Sequence, residues 1–178
     1  VEMAQIVVHP KPNQEEINLV INKLKEYKAD VIDNGADFAA KATLYSDDSG
    51  TERQGGILEL QRSSPFVKEF KDQAFSIQEG EISEPFETMS GWHILYVEKV
   101  KGQIRQVRHI LLTPYISVAQ IQKAKSELDA MRDRIILKEI TFGDAAREIS
   151  DEERTAQNGG KIINPNTGTG RMEITRLE

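Results

Sequence analysis

Apolar positions along the first third of the chain change period in a way that predicts its elements. The run Ala4-Gln5-Ile6-Val7-Val8 is apolar and β-branched, is followed closely by Pro10, and predicts a strand. After Asn13, apolar side chains recur at Ile17, Ile21, Leu24, Tyr27 and Val31. That is the spacing of a helix with one buried stripe, and Asn13 with Glu16 suits its capped start. A short second helix is expected from Asp37, with Phe38 aimed at the core. A polar, glycine-containing loop follows, then a strand at Ile57–Leu60, a short helix near residues 65–74, and two final strands ending at residues 91–97. Strands at both ends of this stretch predict an α+β fold, an antiparallel sheet flanked by helices.

The pattern then repeats. Ile6 corresponds to Ile110, and 110 minus 6 gives a period of 104 residues. The same offset relates Pro10 to Pro114, Leu24 to Leu128, Phe38 to Phe142, Ser46-Asp47 to Ser150-Asp151 and Gly55-Gly56 to Gly159-Gly160, without a gap. Caps are kept in kind: Asn13 and Ser117, Asp37 and Thr141. The second copy opens with the strand-like residues 107–112, and its helical stripe runs through Ile121, Ala124, Leu128, Met131 and Ile135. Residues 1–102 are therefore expected to form a complete domain and residues 103–178 an incomplete second copy. Everything matching residues 75–101 would fall past Glu178, so the second copy lacks two strands in this reading. Unpaired sheet edges invite partner strands, so residues 104–178 are expected to pack on the first domain or to self-associate.

Composition narrows the functions. The 178 residues carry a net charge of -6 and are 38% hydrophobic and 29% charged, a globular profile. That acidic balance argues against nucleic acid, whose binding needs a basic face. No apolar run reaches the roughly 18 residues of a membrane span, so membrane insertion is not expected. There is no cysteine, and His9, His93 and His109 share no ligand spacing, so neither a metal nor another cofactor is expected. Lys99, Lys101, Arg105 and Arg108 read as a solvated linker or edge strand.

Several stretches, in combination and order, carry a family resemblance: Ala4-Gln5-Ile6-Val7-Val8, Tyr45-Ser46-Asp47-Asp48-Ser49, Gly55-Gly56-Ile57-Leu58, Phe66 through Phe70 to Ala74-Phe75, Gly80-Glu81-Ile82-Ser83-Glu84-Pro85 and Thr88-Met89-Ser90-Gly91-Trp92-His93-Ile94. The first copy resembles the parvulin family of peptidyl-prolyl isomerases, and tandem copies resemble the SurA-type periplasmic chaperones. The resemblance implies a parvulin-like sheet, a periplasmic location, and unfolded prolyl-containing polypeptides as partners. It also implies a proline slot at Leu58, Phe66 and Phe70. The spacing of Phe66 and Phe70 fits one helix face, although all three also read as ordinary core.

A polar cluster of Gln5, Asp48, Thr88, Ser90 and His93 is implied beside the slot. Gln5 stands where the family usually has a histidine. Each of the others also has a plain reading: Asp48, Thr88 and Ser90 as turn residues and His93 as a satisfied core histidine. The second copy inverts the pattern. His109 restores the family histidine, while Glu152 replaces the aspartate, Lys161 and Ile162 replace Ile57 and Leu58, and Gly170 and Ile174 stand where Phe66 and Phe70 would be. The expectation is an isomerase in residues 1–102, with a non-catalytic, polypeptide-binding module as the alternative, a structural spacer as a third reading, and no isomerase activity in the second copy.

Overall fold

A computed structural model describes residues 1–165 and 167–171. The chain divides into two compact units: Pro12–Tyr115, and Val1–Lys11 together with Ile116–Glu178. This partition is out of phase with the sequence repeat. The boundary expected between residues 102 and 103 falls at the tip of a hairpin, so the strand that opens the second copy completes the sheet beside the first.

In the unit Pro12–Tyr115, helix α1 (Gln14–Asn34) starts where the pattern predicts, with the Asn13 side chain accepting from the Glu16 N–H at 2.8 Å. It ends at Gly35, whose φ of 68° is the left-handed conformation that terminates many helices. Helix α2 (Phe38–Tyr45) is capped by Asp37. Strand β1 (Ile57–Leu60) and helix α3 (Lys68–Ser76) follow, then β2 (Phe86–Thr88), β3 (Gly91–Lys101) and β4 (Ile104–Leu112). The sheet order is β1-β4-β3-β2, all antiparallel. Strand β4 is thus central and not the edge or linker its basic residues suggested. Arg108 is satisfied there by Glu98 at 3.1 Å and by the Gln54 and Gly55 carbonyls. Lys101 pairs with Ile104 across a two-residue loop in which Gly102 has φ +60°, a conformation that costs glycine little. This tight connection makes residues 104–112 the immediate neighbour of β3.

Alternation along the strands builds a core on each sheet face. Ile94, Ile110 and Leu112 pack with Val20, Leu24, Phe38 and Ala42 of α1 and α2. Leu95, Val97 and Val107 pack with Leu60, Phe86 and the α3 residues Phe70 and Ala74. His93 and His109 have the phase of this second set. Across the β3–β4 ladder His93 opposes Leu111 and Leu95 opposes His109, so the two histidines are diagonal neighbours on the face that α3 covers.

The second unit contains α4 (Val118–Ile136), α5 (Phe142–Ile149) and α6 (Glu153–Ala156). Ser117 and Gln120 form a full capping box on α4, and Thr141 caps α5. Residues 4–8 do not form the regular strand expected of them. They run extended beside residues 150–162, with isolated bridges at Glu2–Arg171 and Ala4–Lys161. Their hydrogen bonds reproduce those of β4 one repeat later. Gln5 N–H donates to the Gly160 carbonyl at 2.8 Å as His109 N–H donates to Gly56 at 2.9 Å. Asp151 N–H reaches Val7 as Asp47 N–H reaches Leu111, and Val7 N–H finds Ser150 Oγ as Leu111 N–H finds Ser46 Oγ. The opening strands of the two copies have exchanged places. Phe142, the counterpart of Phe38, is 39% exposed, against 3% for Phe38. Phe38 is covered in part by Tyr96 of β3, at 5.6 Å between ring centroids, and the described residues of the second unit include no counterpart of that strand.

Candidate functional site

The polar cluster forms inside the unit Pro12–Tyr115, with one substitution in its membership. Gln5 is not part of it. The place expected for Gln5 is held by His109, because β4 and not residues 4–8 lies against β3. The expectation that Gln5 would support His93 is therefore corrected. Gln5 instead lies near the other copy's glycine pair, and Glu152 lies in that same unit. Ile174, the counterpart of Phe70, lies outside the described residues.

The cluster is a row of short contacts. Thr88 Oγ1 lies 2.8 Å from His93 Nε2, the two Nδ1 atoms of His93 and His109 are 3.5 Å apart, and His109 Nε2 lies 2.9 Å from Asp48 Oδ2. Each histidine is 4% exposed. The imidazole rings stack with centroids 5.7 Å apart. Ser90 contributes its backbone N–H, donated to Thr88 Oγ1 at 3.1 Å, and its side chain is not drawn into the row. Asp48 makes a turn contact and a contact to the row. Its Oδ1 accepts from the Gly50 N–H at 3.2 Å as a turn aspartate does, while Oδ2 faces His109.

The expected slot residues also converge. Phe70 is buried and presents its edge to both imidazoles, at 5.5 Å from His93 and 5.4 Å from His109. Phe66 stacks on Phe70 at 5.6 Å, and half-buried Leu58 packs against the same cluster. Phe66 is not on the helix, as its spacing suggested. Val67 caps α3 in an extended conformation, so Phe66 reaches the cluster from the preceding loop. Phe86, which the sequence did not single out, stacks on His93 at 5.4 Å.

Electrostatics fixes the protons. Burial pushes His93 down to about 4, with the neighbouring His109 adding to the effect, and burial lowers His109 as well. Burial would raise Asp48, but hydrogen bonds from Thr51 and Gly50 and the proximity of His109 hold it below the usual carboxylate range. At neutral pH the row is therefore an aspartate and two uncharged imidazoles. An ionised carboxylate only accepts, so His109 carries its proton on Nε2 and leaves Nδ1 bare. His93 must then present Nδ1–H towards His109 and accept from the Thr88 hydroxyl at Nε2. One charge at Asp48 orients the whole row.

A pH dependence of stability follows. In the unfolded chain His93 titrates near 6.5, and in the folded protein near 4. Between those values the unfolded state binds more protons, so stability is full above pH 6.5 and falls as the pH drops towards 4. The loss attributable to His93 is about 3 kcal/mol. Urea unfolding at pH 7.5, 5.5 and 4.5 should show it, and His93→Gln should flatten the slope. A variant with the wild-type slope would remove His93 as its source.

The unit thus presents a buried imidazole pair beside an aspartate and a phenylalanine cluster on a four-stranded antiparallel sheet. The chain belongs to the PPIC-type PPIase rotamase domain family, whose model matches residues 6–99 and 109–175. Its relatives include the chaperone SurA of Photobacterium profundum, 35% identical over 140 residues that cover 75% of this chain and 32% of that protein. SurA of Vibrio vulnificus is 33% identical over 150 residues, covering 80% of this chain and 32% of that protein. The foldase protein PrsA 3 of Bacillus cereus is 33% identical over 107 residues, covering 54% and 38%. The chain thus spans about a third of the length of these relatives. Among the described residues no helix is long and apolar enough to cross a membrane.

Proposed function

We infer that the unit Pro12–Tyr115 is a peptidyl-prolyl cis-trans isomerase whose site is assembled from both sequence copies, acting on X-Pro bonds of unfolded polypeptides in the periplasm or an equivalent compartment. The observation that carries this reading is the hydrogen bond from His109, of the second copy, to Asp48, of the first. Each copy departs from the family pattern at the point where the other supplies the residue.

Isomerisation needs no bond broken. The barrier of about 18–20 kcal/mol comes from amide resonance, which the twisted imide has lost. A site that receives the proline ring and keeps water from the imide favours the twisted form, whose carbonyl carries less charge. Leu58, Phe66 and Phe70 supply the apolar surface. The uncharged histidines continue it, because two neutral imidazoles oriented by Asp48 form a polar but weakly hydrated wall. Thr88, at the outer end of the row, holds His93 in place. The second unit has Gln5 and Glu152 at the matching positions and is assigned no catalysis.

Exchange NMR on a short X-Pro peptide tests the assignment. His109→Gln should slow exchange by about tenfold or more, the effect of removing one charge-assisted hydrogen bond from the site. Gln5→His should leave the rate unchanged, and adding it to His109→Gln should not restore activity. Recovery in the double variant would show that residues 4–8 supply the site and would overturn its assembly from both copies. Peptide shift changes with no acceleration by the wild-type protein would favour a polypeptide-binding module without isomerase activity.

A further inference from the structure

Thr51 sits inside the row although its residue type in a polar loop gave no sign of it. Its hydroxyl donates to Asp48 Oδ2 at 2.5 Å and lies 2.9 Å from His109 Nε2. Threonine at the start of a helical turn normally turns its oxygen to the following N–H groups. Thr51 precedes the 3-10 turn Glu52–Gln54 and makes no such cap. Its backbone is held independently, with its N–H on the Asp48 carbonyl at 3.1 Å and its carbonyl accepting from Gln54 and Gly56 at 2.9 Å each. The loop therefore does not require the hydroxyl to point at the histidine.

The repeat supplies an internal control. Thr155 is the residue 104 positions on, it is buried at 6%, and its N–H reaches the Glu152 carbonyl at 3.1 Å just as Thr51 N–H reaches Asp48. Its hydroxyl, however, donates to that same Glu152 carbonyl at 3.2 Å. Where the matching strand brings Gln5 in place of a histidine, the threonine falls back on local backbone. The different use of one conserved backbone geometry marks the Thr51 contacts as belonging to the Asp48–His109 pair.

We propose that Thr51 is a positioning residue for the isomerase site, holding Asp48 and His109 in one arrangement by donating to the carboxylate and accepting from the His109 Nε2–H. Its single proton is committed to Asp48, so its lone pairs face Nε2 and favour the tautomer with hydrogen there. That choice leaves Nδ1 bare for His93. A hydroxyl thus makes the orientation of the row doubly determined, by charge from Asp48 and by geometry from Thr51.

The proposal rests on the isomerase reading, and its test separates the two. Thr51→Val keeps the shape and removes the hydroxyl, whereas Thr51→Ser keeps the hydroxyl. Imidazole nitrogen shifts measured by NMR on the full chain report the His109 tautomer without reference to activity. Wild type and Thr51→Ser should show the hydrogen on Nε2. Thr51→Val should leave the hydrogen on Nε2, held there by Asp48, but shift the His109 Nε2 resonance as its second acceptor is lost and, at unchanged overall fold, give about tenfold slower peptide exchange, the kinetic equivalent of one lost hydrogen bond. A wild-type protein without turnover would sink the isomerase reading while leaving the tautomer result standing. A Thr51→Val protein with the wild-type His109 Nε2 resonance, or with the wild-type rate, would overturn the role of Thr51.

Discussion

Residues 12–115 expressed alone should fold cooperatively, and residues 12–102 should not fold at all. Strand β4 lies between β1 and β3 and brings Val107, Ile110, Leu111 and Leu112 into the core, each no more than 9% exposed. Burying such side chains contributes about 1.5–3 kcal/mol apiece. Four of them together approach the whole stability of a domain, about 5–15 kcal/mol. Removing them also strips β1 of its partner and leaves one edge of β3 unpaired. Circular dichroism and amide proton dispersion of the two fragments would decide the matter. A cooperatively folded 12–102 fragment would show that β4 is dispensable and would contradict the central place assigned to it.

Gly56→Ala should be among the most damaging single substitutions in the chain. Gly56 has φ +69°, and a Cβ there would lie 2.2 Å from the His109 carbonyl oxygen and 3.1 Å from its nitrogen. Those are backbone atoms of a central strand and cannot give way as a side-chain tip would. The left-handed backbone adds strain for any residue with a Cβ. Moving β4 outward would break the Gly56–His109 hydrogen bond and draw His109 from Asp48. The expected loss is about 3 kcal/mol or more, combining a disfavoured backbone with overpacking. Thermal or urea unfolding measures it. A variant within about 1 kcal/mol of wild type would show that the loop relaxes without disturbing β4.

Helices α1, α2, α4 and α5 were legible in the sequence because each joins an apolar period to a capping residue, and both signals are local. The convergence of Leu58, Phe66 and Phe70 was legible, though Pro65 and the extended Val67 shift the helix start past Phe66. The partner of β3 was not legible. Residues 4–8 and 108–112 have the same pattern, and apolar alternation alone cannot say which of two equivalent strands fills a seat. A non-local clue was present: the copy with Asp48, Thr88 and His93 lacked the histidine, and the copy with His109 lacked the aspartate. Taken as complementary rather than as two separate defects, these departures point to exchange. Nothing in the sequence marks Thr51, whose type is ordinary for a loop.

The exchanged strands put the unit of duplication and the unit of folding out of step. As the chain leaves the ribosome, the first copy is synthesised to its last residue and still has no central strand; the site closes only when the start of the second copy emerges. A recombination event with its breakpoint between residues 102 and 103 would join two intact repeats in the gene and yet separate His109 from Asp48. Inheritance of this site therefore depends on the junction between the copies as much as on either copy.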